Sequence, residues 1–472
     1  MRNRKQHRAP AGFALVALIA VVAPGVPAAT AADPPTSVPV TPVLSLRRVP
    51  GFVTGIIGDR RLASTLGPVM NDTGGPPGQA CLSVRDPDGR TVFSQNPTVA
   101  LIPASTMKLE TATAVLARLG GDSHLTTEVR AGAPPVGGAV SGDLWLVGGG
   151  DPLLATADFA LVAGYNNSPR LSTSMETLAD RVVAAGVRRI EGGVVGDESR
   201  YDTQRYVPTW NPTYAALGEI GPQSALTVNG GFVEWRPRTV PAPAPATKGA
   251  AVLTALLKAR GVTVGREASE GRAQPGAVIT SIDSPSMADM VGVMLQESDN
   301  LAAESLVKEM GVRFGSGGTT TAGLAVVKET LASLKLPVDG LTSADGSGLD
   351  RSDRLTCDSL QSTLARSGEN GDLGRNMPVA GRNGTLARRF ASTPAEGRVR
   401  AKTGSLQGVT ALSGWTTSLD GRPLQFSLLA NELPRDSAGT GLQDRVVSAL
   451  ATWPQAPPPA DISPLPPQPR PG

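Results

Sequence analysis

The sequence predicts an α/β domain whose antiparallel sheet is assembled from both ends of the chain, with helices between them and a long, mostly β insertion. Three observations carry this. Strand-like runs flank Asp-Gly turns at residues 81–94 and again at 410–430. Apolar residues recur at helical spacing through 105–119 and 284–310. Residues 131–284 fit neither pattern: they are rich in Gly and Val and broken into short runs, as in Gly142-Asp-Leu-Trp-Leu-Val-Gly-Gly-Gly-Asp-Pro.

Taken in order, residues 1–31 have the form of a secretory signal peptide. Arg2, Arg4, Lys5 and Arg8 make the charged start, Ala11 to Ala23 the apolar run, and Ala29-Thr30-Ala31 the small-x-small cleavage site. That run of about 13 residues is short of the roughly 20 a bilayer span needs, so no stable membrane span is expected after cleavage. Residues 32–47 form a proline-rich spacer and 454–472 a proline-rich tail, both expected to be extended and disordered. The α/β domain occupies 48–130 and 285–453, split by the insertion at 131–284. Within the insertion, Pro237 to Thr247 alternates Pro and Ala and reads as a joint or protruding loop. The stretch from Cys81 is a hairpin around Asp88-Gly89, closed by Asn96-Pro97. After Pro103-Ala104 the chain turns helical, which puts Ser105 at a helix N-terminus with free backbone N–H groups. Thr410–Thr417 and Leu424–Ala430 meet at Asp420-Gly421, and Leu442–Trp453 closes the domain as a helix.

The 472 residues, 40% apolar and 18% charged, suit a globular protein with large cores. An aromatic content of 4% argues against a surface built to stack bases or sugars. The net charge of +3 misleads, because signal cleavage removes four positive charges and no negative ones, leaving about −1. A nucleic-acid partner thereby loses its compositional support. Cys81 and Cys357 can form a bridge after export or stand as two buried thiols.

With the signal removed, His124 is the sole histidine, and no Gly-x-Ser-x-Gly elbow accompanies it. A Ser-His-Asp triad and a conventional zinc site are both disfavoured. Ser105 and Lys108, one helical turn apart, share a face. For Lys108 to take the serine proton it must be neutral, so its pKa must fall by roughly three units, about 4 kcal/mol of environment. Burial or a second ammonium does this, and Lys402 is the candidate second charge. Ser305 and Lys308 repeat the spacing, but mid-helix, where the serine has no free N–H groups for an oxyanion hole. Ser298-Asp299-Asn300 alone suggests a helix cap, and Lys402-Thr403-Gly404 alone a strand start. In this order they supply a proton relay with an amide donor and a cationic strand, its glycine admitting a ligand backbone by β-augmentation.

These three strings resemble those of penicillin-recognising serine enzymes. Over roughly residues 50–453 the chain is similar to the low-molecular-mass D-alanyl-D-alanine carboxypeptidase/endopeptidases, the penicillin-binding protein 4 or class C group. The resemblance to that group rests on the separation of 193 positions from Ser105 to Ser298 and on further segments: Asp345-Gly-Ser-Gly-Leu349-x-Arg351, Pro378-Val-Ala-Gly381, Gly384-Thr-Leu386, Leu144-Trp-Leu-x-Gly-Gly-Gly-Asp-Pro152 and Gly196-Asp-Glu-Ser-Arg200. It implies the transpeptidase-like fold shared with β-lactamases, no cofactor or metal, and action on peptidoglycan stem peptides outside the cytoplasmic membrane, with β-lactams as covalent inhibitors. By position, it implies that Ser105 is the nucleophile, Lys108 the base and Ser298 the relay to the leaving amine. Asn300 would hold the substrate amide, and Lys402 and Thr403 the terminal carboxylate. The N–H groups of Ser105 and Ser405, beside Gly404, would form the oxyanion hole. Arg351 and Asp197 would contact the stem-peptide side chain or serve as structural salt bridges, with Leu406 lining that pocket. Two other functions stay open, a β-lactamase and a non-catalytic cell-wall binding protein. The absence of Glu in Ala332–Asp339 weighs against class A deacylation.

Overall fold

The computed structural model describes residues 37–38, 40–42, 44–163 and 170–469, so the expected signal peptide lies outside the described residues. Pro50 opens α1 (Pro50–Asn71), a position where a missing N–H costs nothing. Thr54, Gly58, Leu62, Leu66 and Met70 recur every fourth residue and form its buried stripe. The hairpin of β1 (Ala80–Arg85) and β2 (Thr91–Gln95) follows. A 3-10 turn, Ala104–Thr106, leads into α2 (Met107–Leu119), which Gly120 ends at φ 80°. The inserted segment holds β3 (Thr126–Ala131), β4 (Leu144–Val147), α3 (Met175–Ala184), β5 (Val194–Asp197), α4 (Pro245–Lys258), β6 (Ser269–Glu270) and β7 (Ala277–Asp283), with shorter pieces between. The chain returns through α5 (Met287–Gln296), α6 (Asn300–Phe314), α7 (Thr320–Ser333) and α8 (Cys357–Ser367). It ends with β8 (Val399–Leu406), β9 (Val409–Thr417), β10 (Pro423–Ala430) and α9 (Asp436–Thr452).

The main sheet has the order β8-β9-β10-β1-β2, antiparallel throughout. The N-terminal hairpin and the C-terminal meander join where β10 pairs with β1, Leu428 opposite Leu82. Alternate residues serve opposite faces, as the two-residue period of a strand requires. Leu82, Val84, Leu412, Phe426 and Leu428 pack with α1 and α9. Cys81, Ala411 and Leu429 pack with α2, α5, α6 and α8. The sheet is thus covered on both sides by helices, and the fold class expected from the sequence is what forms.

The insertion departs from the mostly β expectation. It has its own sheet, with β6, β5 and β4 parallel and β3 and β7 added antiparallel, and α3 and α4 complete its core with Leu144, Leu146 and Val194. β3 starts at residue 126, so this sheet draws in residues assigned from sequence to the main domain. The Pro/Ala stretch at 237–247 is no loose linker: Val240–Pro241 pairs with Phe232–Glu234, and Pro245 begins α4. The spacer and tail, expected to be disordered, carry a two-residue antiparallel ladder between Ser37–Val38 and Gln468–Pro469. Beside it the Leu465 N–H donates to the Thr41 hydroxyl at 2.9 Å.

Cys81 on β1 and Cys357 at the start of α8 are bridged, Cα to Cα 6.1 Å, across a sequence separation of 276. The bond staples the sheet to the helical layer and restricts a very long loop in the unfolded chain. Replacing both cysteines by serine is expected to cost about 2–5 kcal/mol. A denaturant midpoint unchanged in the double variant would show that the bridge adds nothing to stability.

Candidate active site

Ser105 sits in the 3-10 turn ahead of α2, directly after Ala104, which adopts φ 45°. Left-handed backbone is unfavourable for alanine and persists only where surroundings enforce it. Here they do: Gly348 lies so close that a Cβ on it would meet the Ala104 carbonyl oxygen at 1.9 Å. One turn on, the Lys108 Nζ lies 3.0 Å from Ser105 Oγ, 2.6 Å from Asn300 Oδ1 and 2.7 Å from the Ser347 carbonyl. Lys108 is fully buried, and burial lowers its pKa from 10.5 to about 8 against the opposing charges of Asp345, Glu304, Glu219 and Asp353. As an ammonium it has three N–H donors for three acceptors. As a neutral amine it keeps two, for Asn300 and Ser347, and turns its lone pair to Ser105 Oγ.

Asn300 is the first residue of α6, and Asp299 caps that helix by accepting the Ala302 N–H at 2.8 Å. Asp299 also pairs with Arg170, which lies 3.2 Å from Glu297 as well. Ser298, left-handed at φ 59°, accepts from the Lys402 Nζ at 2.8 Å. Lys402 is fully buried in β8 and also reaches the Thr403 carbonyl at 2.9 Å. Burial first, then the charge of Lys108, holds its pKa well below the usual lysine range. β8 is an edge strand of the sheet. Gly404 brings it against Ser105, since a Cβ there would stand 3.1 Å from the Ser105 nitrogen and 2.9 Å from the Pro103 carbonyl oxygen. Thr403 donates to Thr385 Oγ1 at 2.8 Å. Ser105, Ser298, Asn300, Thr403 and Ser405 line one cleft of about 1130 Å³.

Much of the cleft's other wall comes from the insertion, residues 209–221. Asn300 Nδ2 donates to the Glu219 carbonyl at 2.8 Å, and Trp210 Nε1 to Asp345 Oδ2 at 2.7 Å. Behind the cleft Lys308 pairs with Asp202 at 2.5 Å, Glu309 with Arg200 at 2.6 Å, and the Tyr201 hydroxyl donates to the Ser305 carbonyl at 3.0 Å. The second Ser-x-x-Lys pair therefore anchors the insertion to α6. His124 Nδ1 lies 2.8 Å from the Ser284 carbonyl, away from the cleft lining. Among the described residues no group of three His, Cys, Asp or Glu side chains is arranged to hold a metal.

A family model for D-Ala-D-Ala carboxypeptidase 3 (S13) matches residues 78–244 and 233–453. The chain belongs to the S13 family. Among its relatives, a D-alanyl-D-alanine carboxypeptidase of Actinomadura sp. is 30% identical, covering 77% of this chain and 79% of the relative. The carboxypeptidase DacB of Mycolicibacterium smegmatis is 32% identical, covering 73% and 74%. Penicillin binding protein 4 of Haemophilus influenzae shares the fold at a TM-score of 0.66 and 20% identity, covering 84% of this chain and 99% of that one.

Measured against this S13 fold, the sequence-predicted residues divide. Ser105, Ser298, Asn300, Thr403 and Ser405 line the cleft; Lys108 and Lys402 are buried and reach Ser105 and Ser298, and Gly404 packs against the Ser105 nitrogen. Arg351 also lines the cleft, with Nη1 donating to the Gln407 carbonyl at 2.9 Å and no ion pair among the described residues. Asp197 does not line it. It ends β5, and its two oxygens accept the Ser199 and Ala273 N–H groups, each at 2.7 Å, so its carboxylate holds the insertion's backbone instead of facing substrate. Sequence reasoning missed Ser347, Glu304, Glu219 and Thr385. The strings Asp345-Gly-Ser-Gly and Gly384-Thr-Leu386 carry two of them without a role assigned, and Ser347 acts through its carbonyl, which any residue carries. Gly404→Ala is expected to crowd the Ser105 nitrogen and lower kcat/KM about 10²-fold or more without unfolding the protein. Wild-type turnover in that variant would refute the close approach of β8 to the nucleophile.

Proposed function

We propose that the chain is a serine peptidase that hydrolyses the terminal D-Ala-D-Ala bond of peptidoglycan stem peptides through an acyl-enzyme on Ser105. One observation carries it: a buried Lys108 has two fixed acceptors for its N–H groups and Ser105 Oγ as its third neighbour. That is the arrangement of a neutral amine poised to accept a serine proton.

In this mechanism Ser105 Oγ attacks the carbonyl of the scissile amide as its proton passes to Lys108 Nζ. The N–H groups of Ser105 and Ser405 receive the developing oxyanion, each such donor contributing about 10²–10³ in rate. Collapse breaks the C–N bond, and the leaving D-Ala amine takes, through Ser298, the proton that Lys108 received, which returns Lys108 to the neutral amine; Lys402 holds Ser298 by its hydroxyl. Water then attacks the ester, Lys108 again accepting a proton, and Ser105 is released as the alcohol. Lys402 and Thr403 bind the terminal carboxylate beside the hydroxyl of Thr385. Asn300 Nδ2 holds the substrate amide once it exchanges the Glu219 carbonyl for it. Arg351 faces the stem-peptide side chain. Cross-bridges require the same chemistry with a longer leaving group, so endopeptidase action belongs to the proposal. β-Lactams acylate the same serine.

The site of action follows from the substrate, which lies outside the cytoplasmic membrane. The Cys81–Cys357 bridge fits an oxidising compartment, as does the signal-like segment at 1–31. Among the described residues no helix is long and apolar enough to cross a membrane.

Two results test the proposal. Intact mass after brief exposure to benzylpenicillin should show a lasting adduct in wild type and in Ser305→Ala, and none in Ser105→Ala; an adduct in Ser105→Ala would remove that residue as the nucleophile. With Lys108 titrating at about 8 and active when neutral, kcat/KM should fall steadily as the pH drops below that value and level off above it. A flat profile down to about pH 5 would argue against a lysine base.

A further inference from the structure

The buried acid Glu304 has no part in the mechanism above. It lies one turn after Asn300 on α6, so both project from the same helix face toward Lys108. Its Oε1 accepts the Gly346 N–H at 3.0 Å and the Ser347 N–H at 2.8 Å, and Ser347 is the residue whose carbonyl receives Lys108 Nζ. Asp345 accepts the N–H groups of Ser347, Gly348 and Asp350, and Thr111 on α2 donates to the Gly346 carbonyl at 2.7 Å. The turn from Asp345 to Gly348 is thus gripped at nearly every peptide.

The other Glu304 oxygen, Oε2, is buried with no hydrogen-bond partner. An unpartnered carboxylate oxygen is costly in such a place, and a proton on Oε2 lowers the cost by removing the charge while leaving Oε1 as an acceptor. A carboxyl in this position has two states of equal shape and unequal charge, next to the base.

We propose that Glu304 is the positioning residue of Lys108: its Oε1 aims the Ser347 carbonyl at the lysine, and its ionisation sets how readily the lysine gives up its proton. The proposal rests on Lys108 being the base. Burial, with the charge of Asp345, raises the Glu304 pKa to about 8, so both groups change charge over the same range. The acids whose charges act on Lys108 are Asp345, Glu304, Glu219 and Asp353, of which Asp353 is itself raised to about 10 by burial and by Asp345; the neighbouring Lys402 is held well below the usual lysine range by burial and by the charge of Lys108. Ionised Glu304 favours the ammonium form of Lys108, and neutral Glu304 favours the amine.

The test is the pH dependence of acylation by benzylpenicillin in full-length wild type, Glu304→Gln and Thr111→Val. Glutamine has the shape of the protonated acid, so Glu304→Gln should keep its rate within a few-fold at high pH while its acid limb moves down by roughly half a unit or more. Thr111→Val loosens the same turn without a charge change, so it should lower the rate and leave the limb in place. A limb at the same pH in Glu304→Gln and wild type overturns the role of Glu304 while leaving Lys108 as base. A wild type with no acid limb overturns the lysine base, and with it the proposal. Should Glu304→Gln fail to fold, Glu304→Asp keeps the charge but falls one methylene short of the turn. It must then acylate about tenfold more slowly or worse, and a wild-type rate overturns the proposal.

Discussion

The site depends on one enforced burial, that of the Lys108 amine. Removing a lysine from water is expensive unless every N–H finds an acceptor, and here each acceptor comes from a different part of the chain. Ser105 lies in the 3-10 turn ahead of α2, Asn300 heads α6, and Ser347 sits in a turn that neither helix contains. The same turn presses Gly348 against Ala104 and so enforces the bent backbone ahead of the nucleophile. A lysine in solvent would need none of this and would stay charged. The geometry that desolvates Lys108 is also the geometry that makes it useful.

The insertion belongs to this arrangement. It is pinned to α6 by Lys308 with Asp202 and by Glu309 with Arg200, and from that footing it sends residues 209–221 across the cleft. Its Glu219 carbonyl meets the amide of Asn300, and its Trp210 meets the acid that organises the Asp345 turn. The cleft has one wall from the sheet and helices and another from the insertion.

What could be seen from sequence follows physical rules. The main sheet was legible because strand-like runs flank the Asp88-Gly89 and Asp420-Gly421 turns, and α2 because its apolar spacing is strong. The helices of the insertion were hidden by composition: Pro245 looks like part of a linker, though proline is welcome at the first position of a helix. The motif residues were legible because a nucleophile, a base and a relay need particular side chains. Ser347 and Glu219 were not, because they contribute backbone carbonyls. Glu304 passes in sequence for an ordinary charged helix residue, and only its position behind Lys108 gives it meaning. Asp197 erred the other way, its carboxylate being consumed by two backbone N–H groups.

The closing of the sheet by β10 on β1 has a consequence for when the protein becomes an enzyme. Residues 80–85 form the inner edge of the hairpin, yet their neighbours are residues 423–430, made near the end of synthesis. A pairing between segments so far apart in sequence is slow to form. Until the last strands arrive, β8 has no sheet to lie on and cannot approach Ser105, so a growing chain carries every catalytic side chain save those of β8 without being able to acylate. Activity is timed by connectivity: the nucleophile is translated early and armed last.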